Sequence, residues 1–388
     1  MDSPFIYNNI VTGSDFISRT HELNQLSNLI KEQKCAVIYE PAKSGKQSLI
    51  QQAFLKVKSD SHKFKVCHIN LFNVRTEEKL YQKLKEGLLK TFSKTVSDFV
   101  SQVHDEDPVE YNAKDKSKEA QDKKASSSLA ELIKLGERFA LEADVYLVIY
   151  FEEFQEVLHF EDPDTTLKKL EQTCAELLGK NTNREISETD GVSGNKGRRT
   201  SMLFSGSFVN AMKEIFDEKR YFYNMATRVK FNKIDERNFC EHIIRSFLKA
   251  GRVVSKELAT HIYSLTDGHP WYTQQLADIA FGLTRGYLME SIINQAFDLL
   301  IVLHSYRFRL ITSRLSLFQL NLLKAILDDV EKLSSAEILD KYNLQSSANV
   351  NRLKDAVQKK EIVEFIKGKG EFLDPLFKTW MKEIYFAS

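Results

Sequence analysis

One stretch, AVIYEPAKSGKQSLIQQAF at residues 36–54, constrains the fold more than any other. Four apolar residues run into a short polar turn, then Gly45-Lys46, then a segment patterned as a helix from its first residue. Strand, loop and helix in that order, with Gly-Lys at the helix entrance, suit an anion. Exposed N–H groups and the helix dipole point into the loop, and Gly45 lets the backbone approach a phosphate without a Cβ in the way. The Walker A pattern asks for Gly-x-x-x-x-Gly-Lys-Ser/Thr. Glu40 stands at its first glycine and Gln47 at its Ser/Thr. Pro41, Ser44, Gly45, Lys46, Gln47 and Ser48 are therefore the candidate phosphate-binding positions.

Two later segments extend the pattern. VYLVIYFEEFQEV is an apolar strand ending in Glu152 and Glu153. In a Walker B arrangement the first acid holds Mg²⁺ and the second polarises the attacking water; on that reading Glu152 is the metal ligand and Glu153 the catalytic residue. MLFSGS places Ser205 and Ser207 at another strand end, where a polar sensor would stand near a γ-phosphate.

Strand and helix signals alternate through the first half, which predicts an α/β domain with a parallel sheet covered on both faces. Two polar stretches, at about 104–128 and 180–200, hold little to bury and read as disordered insertions. From about Asp235 the pattern becomes helical. The C-terminal part reads as three helices and a strand pair, IVEFIKG and GEFLDP, with a turn at Lys369-Gly370. The expected domains are a P-loop NTPase domain at 1–234, a helical lid at 235–304 and a winged helix-turn-helix domain at 305–388.

The series FISRTHELNQL, the P-loop, YFEEFQEV, LFSGSFVNAMKEIF, TDGHPWYTQQLA and FLDPLFKTWMK, in this order, resembles archaeal-type AAA+ ATPases of the STAND class and their Bacteroidetes relatives. The resemblance implies an ATP/ADP-binding P-loop core of the ASCE type, a helical lid and a C-terminal winged helix. It puts Phe16, Arg19 and Glu22 beside the adenine. Ser205 falls on the sensor strand, and Pro270 of Gly268-His269-Pro270 packs against the base. Such a protein could assemble on binding nucleotide, with a protein partner the sequence does not name, and the scattered cysteines read as those of a cytoplasmic protein.

The departures fall where catalysis is most demanding. The Walker A hydroxyl binds Mg²⁺ directly, and the longer amide of Gln47 cannot keep that short geometry. Ser48 is rotated by about 100° along the helix and points elsewhere. Glu40 places a carboxylate near a polyphosphate. Met225 occupies the place where relatives often carry an arginine, with Arg228 three residues on, and losing such a cation costs on the order of a thousandfold in rate. Use of Mg²⁺ is thus in question. Three readings stay open: an ATP-binding switch with weak or absent hydrolysis, an active ATPase, and a nucleotide-free scaffold or DNA-binding protein.

A net charge of +1 gives no bulk attraction to nucleic acid or acidic membranes. No apolar run is long enough to cross a bilayer, and the N-terminus lacks a secretory pattern. The four cysteines have no metal-type spacing and read as buried, reduced thiols. DNA enters as a candidate partner through Asn349, Asn351, Arg352 and Lys354 on the expected recognition helix, with Lys359, Lys360, Lys367 and Lys369 towards the wing. Asp355, Glu361 and Glu364 dilute that positive field.

Overall fold

Strands that are apolar along their whole length need cover on both faces, and the central strands of this protein have it. In the computed structural model, which describes residues 3–60, 62–94, 118–178, 198–217 and 220–387, the elements begin with α1 (Thr20–Lys31), β1 (Cys35–Tyr39) and α2 (Lys46–Ser59). Then follow β2 (Phe64–Asn70), α3 (Glu77–Phe92), α4 (Lys118–Glu142), β3 (Tyr146–Glu152), α5 (Pro163–Leu177), β4 (Thr200–Gly206), α6 (Val209–Phe216) and β5 (Ala226–Arg228). Every residue of β1 and β4 is buried.

These five strands form one parallel sheet in the order β2-β3-β4-β1-β5. Parallel neighbours need crossover connections, and here helices supply most of them. The order places β4 between β1 and β3, so the strand leading to Gly45-Lys46 and the strand ending in the acid pair are not adjacent. Against the sheet, Phe151, Phe154, Phe204, Phe216 and Phe222 pack ring on ring, with centroids 4.7–6.0 Å apart.

The rest of the chain is mostly helical: α7 (Glu236–Lys249), α8 (Lys256–Leu265), α9 (Pro270–Leu283), α10 (Glu290–Thr312), α11 (Leu317–Leu327), α12 (Ala336–Lys341) and α13 (Ser347–Lys359). An antiparallel hairpin of β6 (Val363–Ile366) and β7 (Lys369–Phe372) precedes α14 (Pro375–Trp380). One apolar core runs from Phe5 and Ile17 through Phe239, Phe247 and Phe308 to Phe377 and Trp380.

The chain forms two compact units. The sheet unit comprises His21–Glu40 and Ala53–Lys230; the helical unit comprises Met1–Thr20, Pro41–Gln52 and Phe231–Ser388. The phosphate-loop residues and the first half of α2 thus group with the helical unit.

Three local expectations need adjustment. Of the first polar stretch, residues 104–117 lie outside the described residues, but α4 begins at Lys118. KEAQDKKA consists largely of good helix formers, and a helix nucleated further on propagates back through them at little cost. Residues 180–197 of the second stretch also lie outside the described residues, and β4 starts at Thr200. The wing turn sits at Lys367-Gly368, two residues before the expected place. Both residues have positive φ, 51° and 86°, as a two-residue hairpin loop of the primed type requires. All four cysteines are buried free thiols.

Candidate functional site

The loop after β1 turns on two left-handed residues, Lys43 (φ 65°) and Gly45 (φ 92°). Ser44 N–H donates to the Pro41 carbonyl at 3.4 Å, and Leu49 N–H to Gly45 at 3.0 Å, which starts α2. Lys46 is buried and reaches back over its own loop, its Nζ donating to the Pro41 carbonyl at 2.9 Å. Arg19, also buried, donates to the Ser44 carbonyl at 3.3 Å and to the Asn232 carbonyl at 2.5 Å, and its guanidinium lies 4.4 Å from the centre of the Phe231 ring. Lys43 Nζ stands 5.2 Å from the Trp271 ring centre. Three cations are thus tied to a loop of six residues.

Among the described residues of the same unit, Ser44 Oγ, Trp271 Nε1 and His269 Nδ1 are buried polar atoms without a hydrogen-bond partner, as are His242 Nε2, His261 Nε2 and Gln274 Oε1. Buried polar groups left unpaired are rare in native structures and ask for an explanation. His269 precedes Pro270, which opens α9 at its first turn. Burial pushes the imidazole down to about 4; Asp374 opposes that, while Arg19, Arg307 and Lys46 add to it. The histidine is therefore neutral at pH 7, among cations that favour an anion. Gly268 (φ 66°) gives the turn before Pro270 its left-handed bend, and a Cβ there would run into the Tyr263 ring.

Gln47 is half-buried in the first turn of α2. Ser48 is engaged by the N-terminal segment. Its Oγ accepts from Val11 N–H at 3.1 Å, and Gln52 Oε1 accepts from Gly13 N–H at 2.8 Å. These bonds lay the N-terminal segment along α2.

In the sheet unit, Glu152 ends β3 opposite Asn70 of β2. Its carboxylate meets His68 Nε2 at 2.7 Å and accepts from Asn70 Nδ2 at 2.8 Å. Glu153 is left-handed (φ 55°, ψ 48°), a conformation that costs a non-glycine residue on the order of 1 kcal/mol and collects at functional sites. Its carboxylate accepts from Gln155 Nε2 at 2.7 Å, from Ser207 N–H at 3.3 Å and from the Ser207 hydroxyl. Ser205 is buried, with its Oγ 2.8 Å from the Tyr150 hydroxyl; Tyr150 in turn stacks on His68, with centroids 4.7 Å apart. Among the described residues, no three His, Cys, Asp or Glu side chains gather as a metal-holding group.

Sequence reasoning passed over His68 and Asn70. Their signal was present, because positions i and i+2 of a strand share a face, and two polar side chains there stand out beside the buried Cys67 and Ile69. Trp271 was read only as part of a motif, and Ser207 was named at a strand end without its partner Glu153.

On the winged helix, Asn349 Nδ2 donates to the Leu344 carbonyl at 3.1 Å and Lys354 Nζ lies 5.1 Å from the Phe365 ring centre. Lys360 donates to the Arg314 carbonyl at 3.3 Å, and Lys369 is 3.6 Å from Asp329. Asn351, Arg352, Lys359 and Lys367 are exposed. Among the described residues, no helix is long and apolar enough to cross a membrane.

Two solved structures resemble this chain over almost its whole length. A Walker-type ATPase of Pyrococcus abyssi aligns with a TM-score of 0.61 at 15% identity, over 98% of this chain and 99% of that one. The ORC2 protein of Aeropyrum pernix, solved as ADPNP–ADP complexes, aligns with a TM-score of 0.57 at 14% identity, over 98% of each chain. A family model described as "Probable winged helix domain" matches residues 306–383. No curated protein matches the sequence. The chain has a P-loop NTPase fold with a C-terminal winged helix.

Proposed function

We propose that this chain is an ATP-binding switch of the STAND type, built on a degenerate Walker A, with weak or absent hydrolysis. The observation that carries the reading is the loop at residues 41–46. It combines a left-handed glycine at a helix entrance, the cations Lys43, Lys46 and Arg19, and the unpartnered buried atoms Ser44 Oγ, Trp271 Nε1 and His269 Nδ1. That set suits a polyphosphate. Cations and free donors favour it, and a neutral imidazole adds no demand for a counter-ion. Lys46 would exchange the Pro41 carbonyl for the β and γ phosphates.

Weak hydrolysis rests on the acids and on Gln47. A hard cation such as Mg²⁺ takes oxygen ligands in a near-octahedral shell. Position 47 offers an amide in place of a hydroxyl, and Glu152 already serves His68 and Asn70. Glu153 accepts three hydrogen bonds, all on Oε2, which tie that oxygen to Gln155 and Ser207. Its left-handed backbone nonetheless favours a second reading, an active ATPase in which Glu153 is the catalytic residue.

In the first reading 1–234 bind nucleotide, 235–304 form the lid and 305–388 pass the state to a protein partner, in the cytoplasm. DNA is a partner only if Asn351, Arg352, Lys359 and Lys367 reach a groove. Phosphate release measured with ATP and Mg²⁺ separates the two readings. The switch shows at most a trace that Glu153→Gln leaves unchanged; turnover that Glu153→Gln abolishes establishes the ATPase.

A further inference from the structure

α10 is apolar on two sides. Ile293, Ala296, Leu300, Ile301 and Phe308 turn into the core of the helical unit. Leu299, Val302, Leu303, Tyr306 and Leu310 do not: all are exposed, Val302 at 69% and Tyr306 at 74%. Their spacing of three, one, three and four residues keeps them on one helical face about 100° wide. A stripe of this kind on a chain in water marks an interaction surface, because scattered single apolar residues are ordinary but a contiguous row is not.

We propose that this face pairs with the same face of a second copy of the chain, the two α10 helices running antiparallel about a two-fold axis. The charges beside the stripe say which occupant fits. Asp298 and Arg309 are both exposed, and eleven residues separate them, so they lie within about 20° of each other on one flank. Their midpoint falls between residues 303 and 304, and the five apolar residues are centred on 304. In an antiparallel pair with two-fold symmetry, each flank meets the same flank of the other copy with its ends exchanged. Asp298 of one copy then faces Arg309 of the other, twice, while the apolar stripe meets itself. The other flank carries Arg307, which is held by Asp374 and Tyr272 within its own chain. The arrangement is self-complementary, as an isologous contact requires.

A single helix stripe covers less than the roughly 800 Å² per partner of a standard interface, so a reversible dimer with a dissociation constant on the order of 10 µM is expected. Sedimentation velocity of the full chain from about 1 to 100 µM should show monomer passing into dimer. Leu303→Asp should keep the chain monomeric with an unchanged circular dichroism spectrum. Asp298→Arg and Arg309→Asp should each weaken the dimer, and the two together should restore it, because the exchanged pair is again complementary. That rescue distinguishes the antiparallel contact from apolar association alone. A chain monomeric at 100 µM, including one that instead binds vesicles or another protein through this face, overturns the proposal. So does a dimer that Leu303→Asp leaves intact, or a double exchange that fails to recover.

Discussion

Lowering the pH from 7 to 5 should strip the helical unit of about 4 kcal/mol through two histidines. His269 and His304 are each pushed from 6.5 to about 4, burial being the larger cause. His269 faces Asp374, Arg19, Arg307 and Lys46, and His304 faces Arg307 and Asp374. Between pH 6.5 and 4 the unfolded chain takes up protons that the folded unit refuses. The contribution is therefore full above pH 6.5, falls as the pH drops, and levels off below 4. At pH 5 the gap is about 1.5 pH units, or about 2 kcal/mol for each ring. The assay is urea unfolding followed by tryptophan emission, since both tryptophans, Trp271 and Trp380, belong to this unit and Trp271 lies 5.1 Å from His304, centroid to centroid. His304→Gln keeps an amide donor for Gln275 Oε1, which His304 Nε2 meets at 2.8 Å, and removes the titration. The variant should lose about 2 kcal/mol less than the wild type between pH 7 and 5. Equal losses would refute the linkage.

Three substitutions probe the rest. Gly268→Ala should cost the helical unit about 2 kcal/mol or more in the same urea assay, because φ is 66° and the new methyl meets the Tyr263 ring; a loss under about 0.5 kcal/mol contradicts this. Phe204→Ala opens a hole among Phe151, Phe154, Phe216 and Phe222 and should lower the stability of the sheet unit by about 3–5 kcal/mol, read from circular dichroism melts. Asp374 accepts from Leu376 and Phe377 N–H at the start of α14 and pairs with Arg307. Asp374→Ala should therefore cost about 1–2 kcal/mol, with hydrogen exchange quickening first in α14.

The fold was legible where pattern and chemistry agree. β1, β3 and β4 are apolar runs with polar residues at their C-terminal ends, and α2 follows Gly45-Lys46 directly. β5 was not legible: three residues, Ala226–Arg228, are too few to show a period, and only pairing with β1 makes them a strand. The start of α4 was missed because composition alone reads KEAQDKKA as a solvated segment, while helix propagation depends on the packed turns beyond it. At the candidate site the sequence supplied Lys46, Gln47, Glu152 and Glu153. It could not supply the partners. That Ser48 accepts from Val11 and that Glu152 meets His68 are consequences of strand register and chain tracing. In the proposed reading, Gln47 is the position on which metal use turns.

The central claim is that this loop holds ATP without depending on a Walker A metal ligand. Calorimetric titration of ATP into the full chain, once with Mg²⁺ and once with a chelator, tests it most directly. The account predicts saturable one-to-one binding in both, with affinities within about tenfold of each other, and its loss in Lys46→Ala. No binding at millimolar ATP, or binding that vanishes when Mg²⁺ is removed, contradicts it.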